Sequence, residues 1–156
     1  TSDTKRATFA PTICADGTSL LSMLIFKGQP GGRIETKEFR LFPPVCLLAC
    51  QSKAWMDEKY MIRWVDKILS PHVATAPPGI VPLLALDSYR CHMTKSVVNR
   101  IQALGVEVEI IPDGCTGHCQ PLDVGPNKPL KVKIAKEWEE WMFDEDILCG
   151  KAVPPT

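Results

Sequence analysis

The chain carries no surplus of either charge: lysine plus arginine and aspartate plus glutamate each number 18, for a formal net charge of zero. Without a net field, nothing draws the whole domain toward nucleic acid or an anionic membrane. A polyanionic partner must be met by a local basic patch or by sequence outside this chain. Long apolar runs are missing too. Stretches such as Val45–Cys50 and Val81–Leu86 fall far short of the roughly 20 residues of a membrane-spanning helix. The opening TSDTKRATF has neither a signal-peptide core nor an initiator methionine, so it reads as the middle of a longer protein. The glycine-rich KGQPGGR, residues 27–33, lacks the spacing and terminal Lys-Ser/Thr of a phosphate-binding loop and reads as a connection. No internal repeat or domain-scale linker occurs. Seven cysteines form an odd count without the dense spacing of a disulfide scaffold, which points to free thiols in a reducing compartment.

What is present suits one globular domain. The chain has 156 residues, 45% apolar and 23% charged, enough for a sizeable core. Lys5–Ala15 has strand composition, with Pro11 suggesting an edge or bulge. Asp16-Gly17 marks a hairpin turn into a second strand, Ser19–Phe26. Val45–Cys50 reads as a fully buried strand. From Met56 the spacing becomes helical, with Met61, Trp64, Val65, Ile68 and Leu69 on one face and Pro71 as the stop. The run VPLLALD forms a buried strand ending at Asp87. Thr94 caps the next helix, whose stripe is Val97, Val98, Ile101 and Leu104, and Gly105 closes it. Val106–Ile111 alternates, with Glu107 and Glu109 outward. A last helix starts in earnest at Pro129, with Leu130, Ile134, Trp138, Trp141 and Met142 on its apolar face. The expected fold is therefore α/β, a mixed sheet with helices packed on it.

In open α/β sheets, functional side chains gather at the carboxyl ends of strands, and Asp87 stands at such an end. Asp123 follows in a loop that can return to the same sheet edge. Two carboxylates about 4 Å apart repel by about 4 kcal/mol at an effective dielectric of 20. A divalent cation between them turns that repulsion into binding. The plainer reading is that both are turn or cap residues. Spacing alone leaves the two open.

The segments ADGTSLLSMLIFKG, AWMDEKYMIRWVDKIL, LLALDSYRCH, LGVEVEIIPDGCT and QPLDVGPNKPLK decide it. In this order they resemble the DDE-superfamily endonuclease domain of pogo-like, mariner-related transposases and their captured relatives, such as centromere protein B and the jerky proteins. The likeness runs over roughly residues 5–143 of a single domain spanning 1–156. It implies an RNase H-like fold, three carboxylates holding Mg²⁺ or Mn²⁺, DNA as partner and the nucleus as location. Asp87 matches the second acid and Asp123 the third. His92 matches a histidine common shortly after the second acid, Ser88 stands where many relatives have Asn or Gly, and Gln120 opens the QPLD block. The family's first acid lies on an opening strand that precedes KRATFAPTICADG. Neither Asp3 nor Asp16 matches it, so the sheet is expected to lack its first strand. With two of three acids, ion capture is weak or absent, and the chain alone is expected to be inert or nearly so. The competing reading is a captured, non-catalytic domain that binds DNA or protein. Pro126 is placed to bend the helix after the third acid.

Other features carry less. Cys115, His118 and Cys119 share a loop, but Cys46 and Cys50 make a poor second pair, which disfavours a structural zinc site. Lys128 and Lys131, close after Asp123, are read as DNA-phosphate contacts, and Lys136 as part of a solvated helix face. Trp55, Trp64, Trp138 and Trp141 are read as core. His72, in a proline-rich connector, carries no signal.

Overall fold

The computed structural model describes residues 6–114 and 121–143, in two compact units, residues 1–113 and 114–156, each taken here by itself. The first unit opens with β1 (Ala7–Ala10), which ends where Pro11 would remove a backbone donor. Gly17 turns the chain with φ +86°, a conformation a side chain would resist. An isolated bridge joins Ile13 to Ser19, and β2 (Ser22–Lys27) then runs back antiparallel to β1, Ala7 facing Phe26 and Ala10 facing Met23. The expected hairpin is thus present, with irregular chain rather than ladder around its tip.

After KGQPGGR comes an element that periodicity did not indicate, a π-type turn at Ile34–Glu38 followed by a 3-10 turn at Phe39–Leu41. Phe39 and Phe42 pack their rings against Phe26, at 5.9 and 5.2 Å between centroids. β3 (Cys46–Gln51) pairs parallel with β2. It is not fully buried: Ala49 and Cys50 are, while the earlier residues are half-covered.

The helical stretch begins at α1 (Glu58–Trp64), where Asp57 Oδ1 accepts the Tyr60 N–H at 3.1 Å as an N-cap. It runs on through a π-type stretch, Val65–Leu69, into α2 (Ser70–Val73). Pro71 does not stop it. The wide turns restart the hydrogen-bond register, so Pro71 occupies the first turn of α2, where no N–H is required. The expected face is the core face: Met61, Trp64, Val65, Ile68 and Leu69 are all buried. The Trp64 indole N–H donates to Thr12 Oγ1 at 3.1 Å, tying the helix to the hairpin.

β4 (Leu83–Asp87) and β5 (Glu107–Ile111) are parallel, Leu83 facing Glu107 and Asp87 facing Ile111. Between them α3 (Lys95–Gln102) buries Val97 and Ile101 completely, and Gly105 leaves it at φ +74° as expected. Thr94 holds the cap position, but its hydroxyl turns back to the Cys91 carbonyl at 3.0 Å. Arg100 grips Asp66 Oδ1 at 2.8 Å through both Nε and Nη2, joining α3 to the long helix.

The single mixed sheet expected from the sequence is not what forms. Described strands divide into a three-stranded sheet, β1-β2-β3, and a two-stranded sheet, β4-β5. One hydrophobic cluster lies between these layers and the helices, from Met23 and Ile25 through Trp64 and Val65 to Val97, Ile101 and Val106. Leu84 and Leu86 reach that cluster, whereas Leu83 is 63% exposed, so β4 is covered on one face only. Strand composition alone did not reveal the missing cover.

In the second unit, α4 (Pro121–Val124) is separated from α5 (Asn127–Met142) by Gly125-Pro126. Pro126 therefore divides two helices rather than bending one. Ile134 and Trp138 on the supposed core face of α5 are about 60% exposed, and no residue of α5 is buried. Trp138 stacks on Trp141 at 4.8 Å instead. Of the four tryptophans read as core, only Trp64 is buried.

The buried stripe sets a stability expectation. Ile101→Ala should lower the unfolding free energy in urea titrations by about 2–5 kcal/mol, and Ile101→Val by about 1. Lys95→Ala, on the exposed side of the same helix, should stay within about 0.5 kcal/mol of the parent.

Candidate functional site

Alternation along β4 sends Leu84 and Leu86 inward and leaves Asp87 at the strand's carboxyl end, its side chain 31% exposed. A partly desolvated carboxylate requires donors, and the following turn supplies them. The Tyr89 N–H donates to Asp87 Oδ1 at 3.2 Å, an aspartate turn of the usual local kind. His92 places Nδ1 2.7 Å from the same oxygen and 3.2 Å from the Asp87 carbonyl. The His92 N–H, bonded to the Tyr89 carbonyl at 2.8 Å, fixes the turn, and the Tyr89 ring meets the imidazole edge-on at 5.7 Å. Among the described residues, no hydrogen bond engages Asp87 Oδ2. One oxygen is thereby oriented.

The neighbouring strand end brings a second carboxylate. Ser88 Oγ donates to Asp113 Oδ1, linking the residue after β4 to the turn after β5. Gly114, at φ +80°, completes that turn. Sequence reading singled out Ser88 but missed Asp113. Its signal was present: EIIPDG, like LLALD, is an apolar strand closing on aspartate. Beneath the turn lies Cys91, buried, with its thiol pushed up to about 12 by desolvation first and by the charges of Asp87 and Asp57 next. Such a thiol stays protonated and unreactive at neutral pH. Cys50 is also raised by burial, in keeping with free, packed thiols.

Asp16 is committed elsewhere. Its Oδ1 accepts the Thr18 hydroxyl at 2.7 Å and the Thr18 N–H at 2.9 Å, contacts that hold its carboxyl below the usual range. It serves the hairpin turn. Asp123 belongs to α4, but its side chain lies outside the described residues, as do Gln120, Cys115, His118 and Cys119. Lys128 and Lys131 are exposed on α5, and Lys136 pairs with Glu140 at 3.6 Å, the solvated face expected for it. His72 is not isolated: its Nε2 lies 3.7 Å from Cys14 Sγ.

Residues 4–151 match the DDE superfamily endonuclease family. The chain belongs to this family. It is 30% identical over 146 residues to a mouse protein named "Pogo transposable element with KRAB domain", an alignment covering 92% of this chain and 22% of that protein. The human protein of the same name is 29% identical over the same shares of both chains. A human "Pogo transposable element with ZNF domain" is 27% identical over 90% of this chain and 10% of its own length. The chain thus spans about a fifth or less of these relatives. No solved structure matches it.

DDE endonucleases generally use divalent metal ions. Hard cations of this kind take carboxylate oxygens, and Asp87 Oδ2 is a donor of the right chemistry in the right setting. The described residues contain no cluster of three metal-ligating side chains. Among them Asp87 stands at the end of β4, and Asp113 is bound to Ser88, the residue that follows it.

Burial of Cys91 has a pH consequence. Its pKa is higher folded than unfolded, so the stabilisation is complete below about pH 9 and is lost as pH rises toward 12. Unfolding free energies measured from pH 8 to 11 should fall less steeply for Cys91→Ala than for the parent. Parallel profiles would contradict the assignment.

Proposed function

We propose that this domain engages DNA at the carboxyl end of β4 and that Asp87, with Asp123, supplies the carboxylates of a divalent-ion site for DNA strand cleavage and joining. The observation that carries this reading is the oriented Asp87 carboxylate at the end of β4, held through one oxygen by His92 and Tyr89 and, among the described residues, without a partner at the other. Bound Mg²⁺ or Mn²⁺ would lower the pKa of an attacking water and stabilise a leaving oxygen. The chain's own part is to aim Asp87, through the His92 contact, and to keep Ser88 and Asp113 fixed beside it. Lys128 and Lys131 are suited to phosphate contacts that position a duplex without reading its sequence. The nucleus, where such a substrate lies, is the corresponding location.

An RNase H-like arrangement goes with this reading. The described strands form two short sheets, β1-β2-β3 and β4-β5, an arrangement compatible with one mixed sheet that the family's opening strand would join. By the resemblance, that strand carries the first acid. Asp16, occupied by Thr18, does not replace it. Positioning errors of about 1 Å can cost on the order of 10²-fold in rate, so two acids are expected to hold an ion weakly and cleave slowly or not at all.

Residues 1–156 incubated with supercoiled plasmid and Mn²⁺ should give no nicking above that of Mn²⁺ alone. Nicking that disappears in Asp87→Ala would overturn the inert-fragment prediction and confirm the acid. A captured, non-catalytic domain differs in a second measurement. In calorimetric titration with Mn²⁺, the proposed site predicts weak binding that is lost in Asp87→Asn, whereas the captured domain predicts no change.

A further inference from the structure

Ala54 is fully buried and adopts φ +56°, the left-handed region that alanine rarely occupies. Strain of this kind persists only where neighbours over-determine it. Here they do. Gln51 Oε1 accepts the N–H groups of Lys53 and Trp55 at 2.5 and 3.1 Å, and its Nε2 donates to Asp57 Oδ2 at 3.3 Å. From β1, Thr8 Oγ1 donates to the Ala54 carbonyl at 2.6 Å, and Arg6, just before the strand, donates from Nε to the Lys53 carbonyl at 2.8 Å. The product is a rigid corner between β3 and α1 that presents one large group to solvent, the Trp55 indole, 51% exposed.

That indole is not holding the core together, since Ala54 and Met56 on either side provide the buried contacts. Lys53 Nζ sits 5.3 Å from its ring centroid, within cation–π range. The nearby acids are engaged: Asp57 by the Tyr60 N–H and Gln51, Glu58 by the Ser96 hydroxyl at 2.6 Å. The cation at the ring is therefore Lys53, and Arg6, whose guanidinium holds the Lys53 carbonyl, adds a second positive charge to the corner. The corner is linked to the segment after Asp87 through α3, since Thr94 holds the Cys91 carbonyl and Ser96 holds Glu58. Ser96 ties the start of α3 to the start of α1, and the buried Cys91 lies within electrostatic reach of both Asp57 and Asp87.

We propose that Trp55, at a corner that also carries Lys53 and Arg6, is a stacking platform for an unpaired base of single-stranded DNA. A flat indole with adjacent cations matches a base and its phosphate, and it tolerates any sequence because every base has a π-face. A continuous duplex keeps its bases stacked internally and offers no such face. The inference rests on the reading that this end of the domain meets DNA, and it specifies a strand with at least one splayed nucleotide.

The test uses the full 156-residue chain in EDTA, with a short oligothymidylate and a duplex of equal length, followed by anisotropy and tryptophan emission. The oligothymidylate should quench emission, and the quench should vanish in Trp55→Phe, which keeps a stacking ring and most of the affinity. Trp55→Ala should weaken single-strand binding about tenfold or more while duplex binding changes little. Lys53→Ala and Arg6→Ala should each lower the log–log salt slope by about 0.7. Wild-type affinity in Trp55→Ala, a quench that survives in Trp55→Phe, or no binding by the parent would overturn the platform. Trp55→Ala should still bind Mn²⁺ like the parent. Normal Mn²⁺ binding with no Trp55 dependence removes the platform alone, whereas absence of both in the parent removes the wider site reading as well.

Discussion

A carboxylate at the end of an apolar strand stays charged only if donors replace the water it has lost. In this domain the replacement is local: one turn brings the Tyr89 N–H and the His92 imidazole onto a single oxygen of Asp87. Much of the surrounding structure serves that turn. Cys91 fills the space beneath it, Thr94 ties its hydroxyl to the Cys91 carbonyl, and α3 is anchored through Val97 and Ile101 to the common core. Charge-assisted hydrogen bonds are worth about 1.5–3 kcal/mol when well formed. That is enough to orient an exposed rim carboxylate, though not to fold a domain. The core does the folding, and the pair sets the chemistry.

The two sheets give the same division. Met23 and Ile25 from one and Leu84 and Leu86 from the other meet the same helical face, so the layers are joined by side-chain packing rather than by a shared ladder. Among the described strands, the outer edges of both sheets and the exposed Leu83 are the cost of that arrangement. Unpaired apolar edges invite another strand.

Helical elements were the most legible in the sequence. The spacing of Met61, Trp64, Val65, Ile68 and Leu69 marked a buried face directly, because a 3.6-residue period maps onto one side of a cylinder. Asp16-Gly17 and Gly105 were readable for a similar reason, since glycine's freedom at positive φ has few other uses. Strand burial was less legible. Composition shows that a strand can be buried, but not whether a layer covers each face, and so Val45–Cys50 and Leu83–Leu86 were read as more enclosed than they are. Pro71 was misread because a π-type stretch has no sequence signature here. Asp87, Ser88 and His92 were found through the strand-end pattern and the family motif, and the structure brings them into one turn. Asp113 was passed over because its partner, Ser88, is near it only across the β4–β5 pairing. Trp55 was read as core because its neighbours lie on an apolar stripe, whereas the left-handed Ala54 swings it outward.

Paramagnetic broadening by Mn²⁺ examines the claim about Asp87 most directly. In isotope-labelled protein, substoichiometric Mn²⁺ should erase the amide and side-chain signals of Asp87, Ser88 and His92 first, and Asp87→Asn should restore them. Broadening that begins elsewhere, or that is unchanged by Asp87→Asn, would mean that this strand-end carboxylate is not a cation ligand.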